Sequence, residues 1–321
     1  MLKLTVCITT YNLEKYVKQA LDSVLMQQTN FDYKIVVADD FSKDGTKQIL
    51  ENYKNKYPDV IELILNEKNL GSLANSNQIF SNVKSEYFIF LDGDDYWINP
   101  DMLQKMVDYL DANKDYVMVG GNTFYLKQGE YFGTVVSKNQ VNKSYSFEDY
   151  TTNKIPFVHT SALMIRNIIF SSGLPQCYKD AVNTFENCAL RGEDFRRLIH
   201  LQKGKLFVMD EMFSVYRIHD KGMWQGASDL KRRIEAAISF NFYAKYFGNG
   251  YDSFFIKMKE KSYSHLITSL VSDYSLVRGN CLPEKESKLL YDYLDDVRDS
   301  DIKHYGKIRK LLIKTFMRFF A

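Results

Sequence analysis

Four short apolar runs in the first 91 residues, LTVCIT (4–9), YKIVVA (33–38), VIELIL (60–65) and YFIFL (87–91), are separated by stretches of helical spacing. Runs of this length and continuity suit strands buried on both faces, and parallel neighbours need a crossover, which a helix supplies. In EKYVKQALDSVLMQQ, Val17, Ala20, Leu21, Val24 and Leu25 recur at three- and four-residue intervals and form one apolar stripe to set against a sheet. A second helix is expected after SKDGT. Asn99 followed by Pro100 reads as an N-cap with proline at the first helical position, opening PDMLQKMVDYLDA. The alternation predicts βαβ units on a mostly parallel, mixed sheet, an α/β fold.

Beyond Tyr116 the order becomes mixed. YVMVGGNTFYL, SALMIR and KLFVMD read as strands around a helical piece at GEDFRRLIHLQ, and aromatic-rich helical patterns run from about residue 226 to the end. The expected organisation is therefore an α/β domain over 1–225 and a helical C-terminal region over 226–321. With 42 basic against 40 acidic residues, no global field points to nucleic acid as a partner. Cys7, Cys177, Cys188 and Cys281 show no metal spacing, which predicts reduced thiols and a cytoplasmic setting. No run approaches the roughly 18 apolar residues that span a membrane. MLKLTVCITTYN, interrupted by threonines, reads as a strand and not as a leader.

In an open α/β sheet, ligands bind at the carboxyl ends of the strands, and three polar clusters fall there: TTYN, DDFSKDGT and DGDDYW. Each alone could be a cap or turn. Three converging ends favour a site. Carboxylates gathered as in DGDD repel unless a cation lies between them, and hard oxygen ligands point to Mg2+ or Mn2+. Such an ion takes its remaining ligands from substrate phosphates and water, which suggests a nucleoside diphosphate compound. Neither G-x-G-x-x-G nor G-x-x-x-x-G-K-[ST] occurs, which argues against dinucleotide-binding and P-loop readings. DDFSKDGT imitates a phosphatase nucleophile motif, but Asp40 and Asp44 are spaced too far apart for it.

TTYN, VVADDFSKDGT, NEKNLGSLANSNQ, FLDGDDYW, GEDFRRL and VYRIH occur in an order and at a spacing that resemble an inverting family-2 glycosyltransferase of the GT-A fold, over residues 2–219. The resemblance implies that Asp40 accepts the uracil N3–H, a charge-assisted bond, with Thr9 and Tyr11 lining the base pocket. It places Asp92 near the ribose and Asp94 on the metal. It makes Asp194 the general base, with Glu193 beside it. Arg217 and His219 become candidate diphosphate or metal contacts. His159 would approach the acceptor or be a bonded core histidine, and the bland reading is preferred. Leu70 and Ser76 stand where relatives commonly carry arginines, a departure that counts against a basic contact to the nucleotide sugar there.

The expected function is metal-dependent transfer of a sugar from a nucleotide-sugar, a UDP-sugar by preference, to a hydroxyl of a glycan or lipid-linked glycan in surface polysaccharide assembly. The rivals are a metal-dependent phosphatase or nucleotidyltransferase and a catalytically silent nucleotide-sugar-binding protein. In the tail HYGKIRKLLIKTFMRFFA an aromatic-aliphatic face opposes a basic one. It reads either as a peripheral membrane contact on the inner face of the cell membrane or as a packed terminal helix.

Overall fold

The computed structural model describes residues 2–219, 222, 227–248, 252–272 and 284–298. The first half alternates as expected: β1 (Leu4–Thr10), α1 (Val17–Leu25), β2 (Tyr33–Asp39), α2 (Thr46–Lys56), β3 (Ile61–Leu65), α3 (Ser72–Asn82) and β4 (Tyr87–Asp92). These strands lie parallel in the order β3-β2-β1-β4. The short β5 (Tyr96–Trp97) precedes α4 (Met102–Ala112), which starts later than the Asn99–Pro100 signal suggests. The reason is local: the Asn99 side chain accepts the Asp101 N–H at 3.0 Å and closes a turn through Pro100 before the helix begins.

The second half is mixed: β6 (Tyr116–Lys127), β7 (Glu130–Thr134), β8 (Lys143–Tyr145), α5 (Phe147–Thr151), β9 (Leu163–Arg166), α6 (Gln176–Asp180), α7 (Asn187–Leu190), α8 (Glu193–Leu201) and β10 (Lys205–Ile218). The sheet continues β4-β9-β6-β10-β5, with β9 antiparallel to both of its neighbours and β10 parallel to β6. KLFVMD is only the start of β10, a strand of 14 residues. Asp210 and Glu211 break its apolar pattern while two shifts of register against β6 let the chain continue into buried Phe213, Ser214 and Val215.

Alternation along the strands feeds a core on each face of the sheet. Leu4, Val6, Ile8, Ile89 and Leu91 pack with α1 and α4, whereas Cys7, Phe88 and Phe90 pack with α3 and α8. Among the described residues the C-terminal helices are α9 (Asp229–Phe247), α10 (Asp252–Ser272) and α11 (Glu284–Arg298). Ser228 caps α9 by accepting the Lys231 N–H at 3.0 Å. Phe242, Tyr243, Phe247 and Phe255 join the α8 core around Phe195, and Ile234, Tyr263, Leu266 and Tyr293 form a third cluster. The fold is therefore a mainly parallel α/β sheet with C-terminal helices docked onto it. No described helix is long and apolar enough to cross a membrane. Cys7, Cys177 and Cys188 are free thiols. Cys281 and the basic-aromatic tail lie outside the described residues.

Candidate active site

The register of three adjacent parallel strands brings the sequence clusters together. Thr9 of β1 lies opposite Ala38 of β2 on one side and Asp92 of β4 on the other. Thr10 donates its hydroxyl to Asp39 at 2.8 Å, and Ser42 donates both its N–H and its hydroxyl to the same carboxylate, so Asp39 shapes the turn after β2. Asp40 is buried and accepts the backbone N–H groups of Leu70 (2.7 Å) and Gly71 (2.9 Å) and the Asn66 amide (3.1 Å). A carboxylate offers about four acceptor positions, so one remains for a further donor. Tyr11 is 48% exposed just beyond.

The DGDD turn is packed tightly against the end of β1. A Cβ on Gly93 would fall 2.9 Å from the Leu13 side chain and 3.0 Å from the Thr9 carbonyl oxygen. β5 then pairs antiparallel with Ser214 and Val215 of β10, and the Trp97 indole donates to the Ser161 carbonyl at 2.6 Å. This staple carries the end of β10 over the carboxylates. His219 Nε2 lies 3.0 Å from Asp94 Oδ2. The Arg217 guanidinium donates to the Asp94 carbonyl and to the Gln19 side chain, and its backbone N–H donates to Asp95 at 2.9 Å. The Tyr16 ring stacks on His219 at 5.0 Å, and the guanidinium lies over Tyr96 at 4.4 Å.

Burial and the neighbouring charges of Asp94 and Glu193 push the Asp92 carboxyl up to about 7, with Arg196 opposing. Asp95, fully buried beside Asp94 and Asp92, is pushed well above the carboxylate range. Burial lowers His159 to about 4, and its Nδ1 accepts the Ser161 N–H at 3.3 Å, so the imidazole is neutral. Its 3.6 Å approach to Asp95 is therefore not an ion pair.

One ligand atom from each of Asp92, Asp95 and His159 lies within 4.8 Å of the others. Asp94 and His219 form a second pair next to that trio, 3.0 Å apart. Asp95 accepts from Ser161 and Arg217 and keeps about two acceptor positions, whereas the His159 lone pair is engaged by the Ser161 N–H. Asp94 and His219 remain partly exposed. Crowded carboxylates whose mutual repulsion a cation would relieve, with one imidazole at the rim, fit a hard divalent ion.

Glu193 and Asp194 open α8. Glu193 accepts the Thr160 hydroxyl at 3.1 Å and bears on Asp92, whereas Asp194 faces the other way, with Oδ1 3.8 Å from Arg197. The Asp194 side chain is 56% exposed. It stands in a protein-walled cleft, where crowding pushes its carboxyl up, Arg197 counters this and Glu193 adds to it. Water reaches the carboxylate, so the rise is moderated.

Thr9, Asp40, Asp92 and Asp94 thus share one rim with Arg217 and His219, and Asp194 borders it through Glu193. Sequence reasoning missed Tyr16, Gln19 and Tyr96. Tyr16 and Gln19, three residues apart and off the apolar stripe of α1, and Tyr96, next after DGDD, carried that signal without naming a partner. Neither Leu70 nor Ser76 brings a cation here: Ser76 bonds back to the Ser72 carbonyl, and the guanidinium at the Asp94 carbonyl is that of Arg217 from β10.

Residues 5–173 match the description Glycosyl transferase family 2, a span that ends before Asp194, Arg217 and His219. An uncharacterised protein of Mycobacterium tuberculosis, Rv1520, is 27% identical over 70% of this chain and 61% of its own length, so the chain spans about three fifths of that relative. The putative glycosyltransferase EpsE of Bacillus subtilis is 33% identical over 37% of this chain and 42% of its own. Among solved structures, TarS 1–349 of Staphylococcus aureus in complex with UDP superposes with a TM-score of 0.52 at 19% identity, covering 98% of this chain and 89% of that one. A mannosyltransferase of Pyrobaculum calidifontis in complex with GDP-Man and Mn2+ gives 0.50 at 14% identity, covering 98% and 86%. The fold is theirs, the strand-end carboxylates stand at its carboxyl edge, and the chain belongs to glycosyl transferase family 2.

Proposed function

We propose that the chain is a metal-dependent, inverting glycosyltransferase that moves a sugar from a UDP-sugar to a glycan hydroxyl in surface polysaccharide assembly. The observation that carries this is the meeting of Asp94, His219 and Arg217 at the carboxyl edge of the sheet. TarS, solved in complex with UDP and with UDP-GlcNAc, supports the choice of nucleotide. In this reading Asp40 takes the base imide on its remaining lone pair, Thr9 and Tyr11 flank the base, and Asp92 reaches the ribose. Asp94 and His219 would hold Mg2+ or Mn2+, and Arg217 would meet the diphosphate. When bound, the cation neutralises charge on the departing diphosphate.

The acceptor oxygen attacks the anomeric carbon from the face opposite the diphosphate. Asp194 takes the hydroxyl proton, the bond from the anomeric carbon to the phosphate oxygen breaks, and UDP leaves with the electron pair. Inversion follows from single displacement. The α/β part over 1–225 serves the nucleotide sugar, and the helical part over 226–321 serves the acceptor and the approach to a cytoplasmic membrane face. Binding of the full chain to anionic but not neutral vesicles, weakened by salt, tests that last role.

The central experiment is a panel of UDP-, GDP- and dTDP-sugars incubated with Mg2+ or Mn2+, with nucleotide release followed. Metal-dependent release of UDP is expected. Release of inorganic phosphate, or UDP binding without turnover of any sugar, would overturn the reading.

A further inference from the structure

On the side of Asp194 away from the carboxylate turn, α5 and the chain after it meet α8, α9 and α10 around a pocket of about 220 Å³. Its walls are rings from distant parts of the chain, Tyr150, Phe157, Phe240 and Phe254, with Tyr150 set edge-on to Phe254 at 6.0 Å. Asp194, Arg197 and Asn153 supply its polar groups. Arg197 is 2% exposed, and its guanidinium lies 5.8 Å from the centre of the Phe157 ring. It makes one long bond, Nη2 to the Pro156 carbonyl at 3.4 Å. Its Nε and Nη1 have no hydrogen-bond partner, and the Asp194 oxygen 3.8 Å from Nη1 is too far for one.

A buried cation with unused N–H groups is costly unless something supplies acceptor oxygens. Apart from the Asn153 amide and the Tyr150 hydroxyl the remaining wall is apolar and aromatic, so the occupant must combine oxygens on one side with an apolar face on the other. Charge narrows the choice: Arg197 and Asp194 cancel, leaving no net positive charge to hold a phosphate or carboxylate. The volume falls below the roughly 300–1,000 Å³ of pockets for larger ligands, which suits a single ring.

We propose that this pocket receives one neutral pyranose ring of the acceptor, its C–H face against Phe240 and Phe254 and its oxygens on Arg197, so that a hydroxyl reaches Asp194. This rests on the glycosyl-transfer reading and adds the acceptor class. It also makes the C-terminal helices part of the acceptor site, since α9 and α10 contribute half of the aromatic wall.

Saturation-transfer NMR on the full chain with UDP and Mg2+ tests it, with methyl β-glucopyranoside, methyl β-galactopyranoside and methyl β-N-acetylglucosaminide as neutral probes and ribitol 5-phosphate as the anionic polyol. Saturation of at least one pyranoside is expected, weakened at least tenfold by Phe240→Ala and about threefold by the milder Phe254→Leu, with UDP affinity within twofold in both. Absence of saturation for every pyranoside, preference for ribitol 5-phosphate, or undiminished pyranoside binding in a folded Phe254→Leu variant would overturn it. Wild-type chain that binds a pyranoside here yet releases UDP from no UDP-sugar would overturn the transferase reading and leave the pocket standing.

Discussion

On the carboxylate side of the site, Thr9, Asp40, Asp92 and Asp94 come from one stretch of sequence and stand at the ends of three parallel neighbours. On the aromatic side, Asp194 shares a pocket with rings at positions 150, 157, 240 and 254. Strand register alone aligns the first group: once β1, β2 and β4 pair in parallel, their polar ends must meet. The second group depends on how helices dock, and no local rule brings its members together. The first side should therefore fail through chemistry when altered, and the second through the acceptor.

The largest expected effect is on the carboxylate side. Asp94→Ala removes the carboxylate nearest His219 and should lower metal-dependent UDP release more than about 10³-fold, because a cation contributes several kcal/mol to a departing diphosphate. Asp94 is not in the core, so the thermal midpoint should hold. Excess EDTA should reproduce the loss in wild type, and full activity in EDTA would break the comparison at its first term.

On the other side, Asp194→Asn should reduce transfer about 10²- to 10³-fold, within the range for a positioned general base, while UDP affinity stays within a few fold. The base must be unprotonated, so kcat/KM should rise with pH through a carboxyl pushed above its ordinary range. That acid limb should vanish in the Asn variant. Loss of UDP binding instead would move Asp194 to the nucleotide side, and a larger effect from Glu193→Gln would give the proton transfer to its neighbour.

What could be read from the sequence follows the same division. The four parallel strands and the DGDD turn were legible because buried strands and strand-end clusters have short-range signatures. The meeting of Arg217 and His219 with Asp94 was legible only through resemblance, since it depends on β10 running past its charged interruption at Asp210 and Glu211 to pair with β5. The aromatic pocket was not legible: Phe240 and Phe254 look like ordinary core positions until helix docking sets them around Arg197. The start of α4 was misjudged by two residues because Asn99 closes the turn through Pro100 and does not cap the helix.

Two glycines sharpen the comparison with a smaller effect. A Cβ at Gly93 meets the Thr9 carbonyl at 3.0 Å, a backbone atom that cannot move without moving β1. Gly93→Ala should cost about 1–3 kcal/mol by overpacking and weaken the response to metal. Gly192, at the N-cap of α8, has nothing within 4 Å of an added Cβ. Gly192→Ala should therefore cost less than about 1 kcal/mol, the ordinary penalty for alanine at a cap. Equal melting midpoints for the two variants would mean that the carboxylate turn is not held by close packing.

The smallest effect concerns α8 itself, which turns Asp194 to the open cleft and His200 to the core. His200 Nδ1 donates to the Arg196 carbonyl at 2.6 Å, its Nε2 has no partner, and its ring packs beside Phe88 and Phe170. Burial above all, with the Arg196 charge helping and the bond to the Arg196 carbonyl opposing, lowers its pKa from 6.5 to about 4. Because the folded state resists protonation, the unfolded chain binds more protons between those two values, so stability falls as pH drops from about 6.5 towards 4. At pH 5.5 the single group should cost on the order of 1 kcal/mol relative to pH 7 or above. In His200→Gln the midpoint should decline less over the same interval, and the acid limb of transfer should not move, because His200 faces away from the cleft. Equal declines in both proteins would place the acid sensitivity elsewhere. A shifted acid limb would show that the two faces of α8 are coupled, and the separation of core from cleft along this helix would fail.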